Sequence, residues 1–352
     1  MRSGHLRCGA VRYSHVAARA RDKGFFVETP LITSSKSKLP SNMTVKFKME
    51  NMQPSGSFKD RGIGNMIQTL SEASKVDRLI CSSGGNAGLS VATIGEKIGL
   101  PVDVFVPTTT LPMMVEKLKQ RKANLYVGGE NWNAADLIAR EALSKNPCAK
   151  YIPPYDDSLI WDGHSTIIDE LASSLTERDR PDTIVLSVGG GGLLAGIQQG
   201  LDRHGWDQTR IIAVETEGAA SYAAAKSAGS AVKLDKISTV ASSLGALSVT
   251  SAVIRSSSRA AQRTESLIVT DSEAVSACLA FADEQRSLVE PACGACLAVI
   301  YSARCHELLQ VNRNCNKVGE NVVVIVCGGS VVSLDLLQFW KHKFLSPPAP
   351  NI

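Results

Sequence analysis

TIVLSVGGGGLLAGIQQGL, residues 183–201, decides how the rest of the chain is read. Thr183–Val188 is a short apolar, β-branched run, Leu193–Leu201 reads as a helix, and four glycines separate them. A buried strand that feeds a helix through a turn without side chains is the unit of α/β proteins. With no Cβ atoms in the way, the N–H groups of Gly189, Gly190, Gly191 and Gly192 can converge. The helix start adds positive partial charge, so the turn suits a phosphate. The bland alternative is a flexible loop or tight turn, which four consecutive glycines between a strand and a helix disfavour.

Outward from this stretch the same alternation continues. Strands are expected at Val45–Met49, Arg78–Ser82, Val102–Val106, Asn124–Val127, Thr183–Val188, Arg210–Glu215, Ser266–Val269 and Asn321–Val326. Between them lie helical stretches, the clearest carrying Ile63, Met66, Ile67 and Leu70 on one face. Strands alternating with helices predict an α/β fold of mostly parallel sheets covered by helices, with ligands at the carboxyl ends of strands. At 352 residues the chain has room for one large or two medium domains.

Composition removes other classes. With 44% hydrophobic and 20% charged residues the chain is not disordered. Its apolar blocks, such as Val322–Cys327, are far short of the ~20 residues that span a bilayer, so no membrane partner is expected. No fixed-period repeat is present. Residues 1–24 hold six basic side chains against Asp22, a net +5, which leaves −1 for the remainder of a chain whose total is +4. A body without basic excess and with 5% aromatic residues predicts no nucleic-acid partner. The Arg-rich leader, residues 1–24, has the composition of a mitochondrial transit peptide. The preferred reading is a disordered extension on a cytoplasmic protein. Nine cysteines, an odd number scattered from Cys8 to Cys327, fit reduced thiols rather than a disulfide framework. Cys293 and Cys296 form a lone CxxC, better explained by packing than by zinc or redox chemistry.

Two further junctions carry chemistry. Lys59 follows Ser-Gly-Ser-Phe at the expected first turn of the Ile63–Leu70 helix. There the helix dipole disfavours a protonated amine and Phe58 adds desolvation, as Schiff-base chemistry needs. Read alone, Lys59 is better taken as a solvated lysine. Ser82–Gly88, SSGGNAG, offers hydroxyls, an amide and close backbone to a carboxylate; alternatively Asn86 and Ser83 cap the helix that follows. Gly190, Gly192 and Ala195 also fit the G-x-G-x-x-A dinucleotide pattern, and Glu215 ends the next strand as a ribose-binding acid would, so an NAD-dependent dehydrogenase competes. That reading leaves Lys59 and the Asn86 loop unexplained. A phosphate cradle, an amine and a carboxylate-docking loop are together the inventory for pyridoxal 5′-phosphate acting on an amino acid.

The strings ETPLI, NMQPSGSFKDRGIGNM, CSSGGNAG, LIWDGH, SVGGGGLLAG, AVETEGA, VEPACGA and VIVCGGS, in this order from Thr29 to about Leu337, resemble the L-serine dehydratase / L-threonine deaminase family. The closest likeness is to the animal-type serine dehydratases, which lack a regulatory domain. The resemblance implies a two-lobed, tryptophan-synthase-β-like fold (PLP fold type II). Its large lobe would take residues 25–59 and 155–352, and its small lobe residues 60–154. It implies that Lys59 holds pyridoxal 5′-phosphate as an imine and acts on the substrate α-proton, with Phe58 flanking the ring. Ser83, Gly84, Asn86 and Ala87 would hold the substrate carboxylate, with Asn86 also near the cofactor, and Gly189–Leu193 the phosphate. Cys327 would lie beside the pyridine nitrogen, where a weakly acidic thiol favours prompt loss of a β-hydroxyl over transamination. A monovalent cation such as K+ would take Gly189, Glu215, Ala219, Ser221, Leu244 and Ala246. The expected activity is deamination of L-serine to pyruvate and ammonia, and of L-threonine to 2-oxobutanoate, by a homodimer acting on small amino acids. Asp60 departs from these dehydratases: Lys-Asp-Arg-Gly resembles threonine synthase, which with serine racemase is the alternative on the same fold. Trp161 and His164 are assigned to packing or a supporting hydrogen bond.

Overall fold

Short runs of Val, Ile and Leu become strands and the segments between them become helices throughout the computed structural model, which describes residues 15–35, 43–255, 257–304 and 320–345. The strands are β1 Leu31–Thr33, β2 Met43–Lys48, β3 Arg78–Cys81, β4 Val102–Val106, β5 Asn124–Val127, β6 Ala149–Tyr151, β7 Thr183–Ser187, β8 Arg210–Thr216, β9 Thr264–Val269 and β10 Glu320–Ile325. The helices are α1 (15–22), α2 Lys59–Ala73, α3 Asn86–Ile98, α4 Pro112–Gln120, α5 Trp132–Ser144, α6 Ser158–Ser174, α7 Gly192–Arg203, α8 Ser221–Ala228, α9 Ala252–Arg255, α10 Arg259–Gln262, α11 Asp271–Gln285, α12 Pro291–Tyr301 and α13 Leu334–Leu345. No helix among the described residues is long and apolar enough to cross a membrane.

The chain falls into two compact units, one of Met1–Glu28, Met52–Ser174 and Ala195–Gly205, the other of Thr29–Asn51, Leu175–Leu194 and Trp206–Ile352. The lobe expected at residues 60–154 lies within the first unit, which also takes in α6 and the residues leading into Lys59.

The first unit holds a wholly parallel sheet in the order β5-β4-β3-β6. Every residue of β4 is buried, and α3 and α5 pack against β3 and β4. On the α5 side Ile80, Phe105, Ala139 and Ala149 form one cluster. Helix α2 lies against α6. Arg61, with none of its surface exposed, meets Glu170 there through two hydrogen bonds of 2.6 and 2.7 Å and donates a third, 3.1 Å, to Thr166 Oγ1. Asn65 Nδ2 adds a bond of 2.7 Å to the Leu159 carbonyl.

The leader departs from expectation where it is described. Residues 15–22 are helical, with Val16, Ala17 and Ala20 buried, and Arg19 grips Glu72 of α2 through two bonds of 2.7 Å. Val16, Ala17 and Ala20 share one buried face while Arg19 and Arg21 flank it and stay exposed, an arrangement that a bare composition hides. Residues 1–14, with Cys8, lie outside the described residues.

The second unit holds the order β1-β2-β10-β7-β8-β9, parallel except where β1 pairs antiparallel with β2. Strand β10 is central, pairing Val322 with Val45 on one side and Thr183 on the other. Val322–Ile325 are buried. Each such side chain contributes about 1.5–3 kcal/mol of apolar burial, against about 1–2 kcal/mol of backbone ordering. The residues following β7, β8 and β10 thereby emerge at one carboxyl edge.

The Arg61–Glu170 pair gives the first testable expectation. Glu170→Gln leaves a buried guanidinium without its counter-charge and is expected to cost about 3–5 kcal/mol of stability, measured by urea unfolding. An unchanged midpoint would show that the pair does not hold α2 to α6.

Candidate active site

In the first unit Lys59 is the first residue of α2, and the preceding Phe58 provides no side-chain cap. Its Nζ donates to the Pro154 carbonyl at 2.5 Å and lies 5.0 Å from the centre of the Phe58 ring. The turn before it, Pro-Ser-Gly-Ser, is held by Asp60, fully buried, whose carboxylate accepts the Ser55 N–H at 2.7 Å. Pro154 follows β6 and Ser82–Gly85 follow β3; these strands are neighbours, and Ile152 N–H donates to the Ile80 carbonyl. The structure thus brings Lys59, Phe58 and the Asn86 loop to one edge of the first sheet.

That loop is built for a ligand at a helix start. Gly85 is the residue before α3 and no side chain caps the helix, so neither Ser83 nor Asn86 serves as the N-cap that was the bland alternative. Ser83 Oγ accepts from Gly85 N–H at 3.3 Å, and a Cβ on Gly84 would come 2.7 Å from Thr110 Cγ2. Ser82 is tied down from below. It donates to Asp136 at 2.7 Å, and Tyr151 also donates to Asp136, whose other oxygen accepts from Arg140 Nε at 2.7 Å. Burial works to raise the Asp136 carboxyl, and the bonds from Tyr151, Arg140 and Ser82 outweigh it and hold the group below the usual range. Nothing in the sequence pointed to Asp136 or Tyr151, since their bonds to Ser82 join residues far apart in the chain.

In the second unit Gly189–Gly192 run from the end of β7 to the start of α7. Gly191 sits at φ +85°, and a Cβ there would lie 2.5 Å from Val249 Cγ2. One on Gly189 would lie 3.0 Å from Leu244 Cα. Neighbouring side chains at Gly191 and backbone at Gly189 therefore fill the space that a Cβ would need, leaving a helix start suited to an anion. Beside it, Ser221 Oγ is 3.4 Å from the Gly189 carbonyl oxygen. Leu244, whose carbonyl accepts from Ala246 N–H at 2.7 Å, packs against Gly189, and Ala219 closes the turn that leads to Ser221.

Glu215 ends β8 with its carboxylate fully buried, accepting from the N–H groups of Tyr222 at 2.7 Å and Ala223 at 2.8 Å. Burial pushes its carboxyl up to about 7 against the pull of those two donors. Both oxygens thus accept a backbone N–H, which gives the acid of the dinucleotide reading a structural use. Among the described residues no group of three or more His, Cys, Asp or Glu is arranged for a metal ion.

Cys327 lies two residues beyond β10, level with the end of β7 by the pairing of Val324 with Val185. The CxxC pair comes to it from α12: the thiols of Cys293, Cys296 and Cys327 reach one another, and all three are buried. Cys296 Sγ donates to Cys293 O at 3.1 Å, and its backbone N–H to Ser187 Oγ at 3.1 Å. Burial above all pushes the Cys293 thiol well up. The pair therefore packs, as the sequence suggested, yet it packs against Cys327, which spacing alone could not reveal.

Residues 24–328 match the family described as pyridoxal-phosphate dependent enzyme. Human L-serine dehydratase/L-threonine deaminase is 41% identical over 317 residues, covering 90% of this chain and 95% of that protein. A human serine dehydratase-like protein is 42% identical over 326 residues, 93% of this chain and 97% of that one. Among solved structures, the fungal L-serine ammonia-lyase from Rhizomucor miehei superposes with a TM-score of 0.82 at 33% identity, across 91% of this chain and 99% of that one.

Gly189 and Gly191 leave little room for a side chain. Gly191→Ala places a Cβ at a left-handed φ, which costs about 1–2 kcal/mol before any clash. It is expected to weaken binding of a phosphorylated ligand by about tenfold or more, read by titration with pyridoxal 5′-phosphate. Unchanged affinity would mean that the turn is not a phosphate cradle.

Proposed function

The chain belongs to the pyridoxal-phosphate-dependent enzyme family, and from that membership we propose that it converts L-serine to pyruvate and ammonia by β-elimination, and L-threonine to 2-oxobutanoate. One observation carries the reading: a lysine stands at the uncapped start of α2, its amine turned onto the Pro154 carbonyl beside a second uncapped helix start at Asn86. Relatives 40–42% identical over about nine-tenths of the chain, whose names speak of serine dehydratase, support the choice of substrate.

The residues fit the cofactor. The Gly189–Leu193 turn, in which Cβ atoms would collide with Val249 and Leu244, suits its phosphate, and Lys59 supplies the amine. When bound, pyridoxal phosphate acts as an electron sink that stabilises negative charge at the amino acid's α-carbon. Lys59 would hold the cofactor through its amine and, once the substrate's amine has replaced it there, would take the α-proton on Nζ. Ser83, Gly84, Asn86 and Ala87 orient the carboxylate at the start of α3, so that the Cα–H bond points at Lys59. Phe58 keeps water from the amine. Cys327 would be the group offered to the cofactor's ring nitrogen, and a thiol would support a positive charge there less than a carboxylate. The α-C–H and β-C–O bonds break, water leaves, and the released 2-aminoacrylate hydrolyses to pyruvate and ammonia.

A monovalent cation belongs to the same proposal. Carbonyl and carboxylate oxygens suit a hard ion. Gly189 O, Ser221 Oγ and the buried Glu215 stand at the carboxyl edge of the second sheet, with the Leu244 carbonyl against Gly189 and the Ala219 and Ala246 carbonyls on the flanking turns. The cytoplasmic location and the homodimer are carried by the sequence reading; sedimentation of the purified protein tests the latter.

Incubation with L-serine, L-threonine and O-phosphohomoserine is expected to yield pyruvate from the first and 2-oxobutanoate from the second, with no product from the third. Threonine from O-phosphohomoserine, or D-serine as the main product, would move the protein to threonine synthase or serine racemase. Borohydride reduction followed by peptide mapping is expected to place the pyridoxyl group on Lys59, and Lys59→Ala to abolish turnover. A label on any other lysine overturns the mechanism. Exchanging Na+ for K+ is expected to raise kcat severalfold in the wild type, and Glu215→Gln to remove that response.

A further inference from the structure

Helices of the first unit close on His164. A Cβ on Gly62 of α2 would stand 2.5 Å from His164 Cε1, one on Gly196 of α7 2.5 Å from His164 Cβ, and one on Gly163 of α6 would run into the Arg61 carbonyl. Glycines let the backbones approach until the imidazole is fully buried, its ring 4.8 Å from that of Phe58 and tilted by 59°. Neither ring nitrogen has a hydrogen-bond partner among the described residues.

The polar groups around it are committed elsewhere. Arg61 is gripped by Glu170, Lys59 Nζ donates to Pro154 O, Trp161 Nε1 donates to Tyr155 O at 2.8 Å, and Thr166 Oγ1 donates to Gly163 O at 2.7 Å. Burial first, and then the positive charges of Lys59 and Arg61, hold the ring well below the usual histidine range. It therefore carries one N–H donor and one acceptor. A phenyl ring would fill the same space without leaving two polar atoms unmet, so packing on Phe58 does not account for an imidazole here.

We infer that His164 is a ligand-binding residue of the Lys59 site, its ring N–H donating to an anionic oxygen that arrives with the cofactor or the amino acid. The inference rests on reading Lys59 as the cofactor amine. The shared chemistry is an oxygen bearing negative charge: a phosphate or phenolate oxygen of pyridoxal phosphate, or the carboxylate of the substrate.

The test compares wild type, His164→Phe and His164→Gln by pyridoxal 5′-phosphate affinity, by affinity of the holoenzyme for L-alanine (an amino acid with no β-leaving group), and by melting temperature without cofactor. His164→Phe is expected to melt higher than wild type and to lose about tenfold or more in one of the two affinities. Loss for pyridoxal phosphate identifies a cofactor oxygen, and loss for alanine identifies the carboxylate. His164→Gln, which keeps a donor, is expected to recover most of the loss. Histidine ring ¹⁵N resonances of the wild type, assigned to His164 by their absence in His164→Phe or, should that variant fail to fold, in His164→Gln, are expected to shift when the same probe is added. Unmoved resonances with both affinities at the wild-type value in His164→Phe overturn the inference while leaving Lys59 in place. A wild-type protein that forms no imine absorbance with pyridoxal phosphate overturns the cofactor reading and this inference together.

Discussion

A guanidinium with no path to water must find its counter-charge inside the protein, and Arg61 finds Glu170. That demand fixes more than two side chains. Arg61 stands two residues beyond Lys59 in the first turn of α2, while Glu170 stands two turns beyond His164 on α6. Matching one to the other sets how far along each other the two helices lie. It thereby brings Phe58 against His164 and leaves the Lys59 amine at Pro154, four residues before α6 begins. Attraction between the charges in a medium of low polarity is offset largely by their desolvation, so the pair specifies a register more than it adds stability. If Lys59 is the reacting amine we propose, its placement needs that kind of specificity, because small displacements of a catalytic group cost large factors in rate.

Most of the fold could be read from the chain because its parallel strands are buried on both faces and so appear as unbroken apolar runs. β4 and β5 fall on their expected residues, and the other expected strands begin or end within two. Strands β1 and β6 were not foreseen. At three residues each, Leu-Ile-Thr and Ala-Lys-Tyr are too short to show a period, and only pairing to β2 and β3 makes them strands. Strand β9 starts two residues early because Thr264 and Glu265 are polar, yet their backbone continues the ladder to Ile211 and Ile212. Helix α1 was misread for the opposite reason. Composition counted the arginines of residues 15–22 without asking which side of a helix they occupy, and Arg19 turns out to be bound to Glu72.

The three candidate loops were legible for a local reason. Glycine, asparagine and lysine at strand-to-helix junctions act through their own backbone and a few neighbours, so a short string carries the whole signal. What supports those loops was not legible. Ser82 depends on Asp136 and Tyr151, Cys327 on Cys293 and Cys296, and Gly189 on Leu244, all partners that only the fold brings near. His164 was visible within LIWDGH, but a string cannot show that a ring lacks hydrogen-bond partners. Asn86 shows the converse: its sequence allowed a capping role, and the backbone of Gly85 takes the capping position instead.

Asp60 is where the chain leaves the dehydratase pattern, and its surroundings say what that departure concerns. A residue that chooses between substrates must present an atom to them. Asp60 has no exposed surface, and one of its oxygens accepts the Ser55 N–H at 2.7 Å, inside the turn that delivers Lys59. The carboxylate sits in the first turn of α2, where a negative charge is favoured by the helix dipole and needs no external partner to justify it. An apolar residue at this position would leave the Ser55 N–H to be satisfied otherwise, so exchange between the two types asks for a change in the Pro-Ser-Gly-Ser turn rather than in the substrate. The likeness of Lys-Asp-Arg-Gly to threonine synthase is therefore a likeness in how the lysine is supported. Asp60 presents no atom to a ligand, so substrate choice falls to other groups, which on our proposal are those of the Ser83–Ala87 loop.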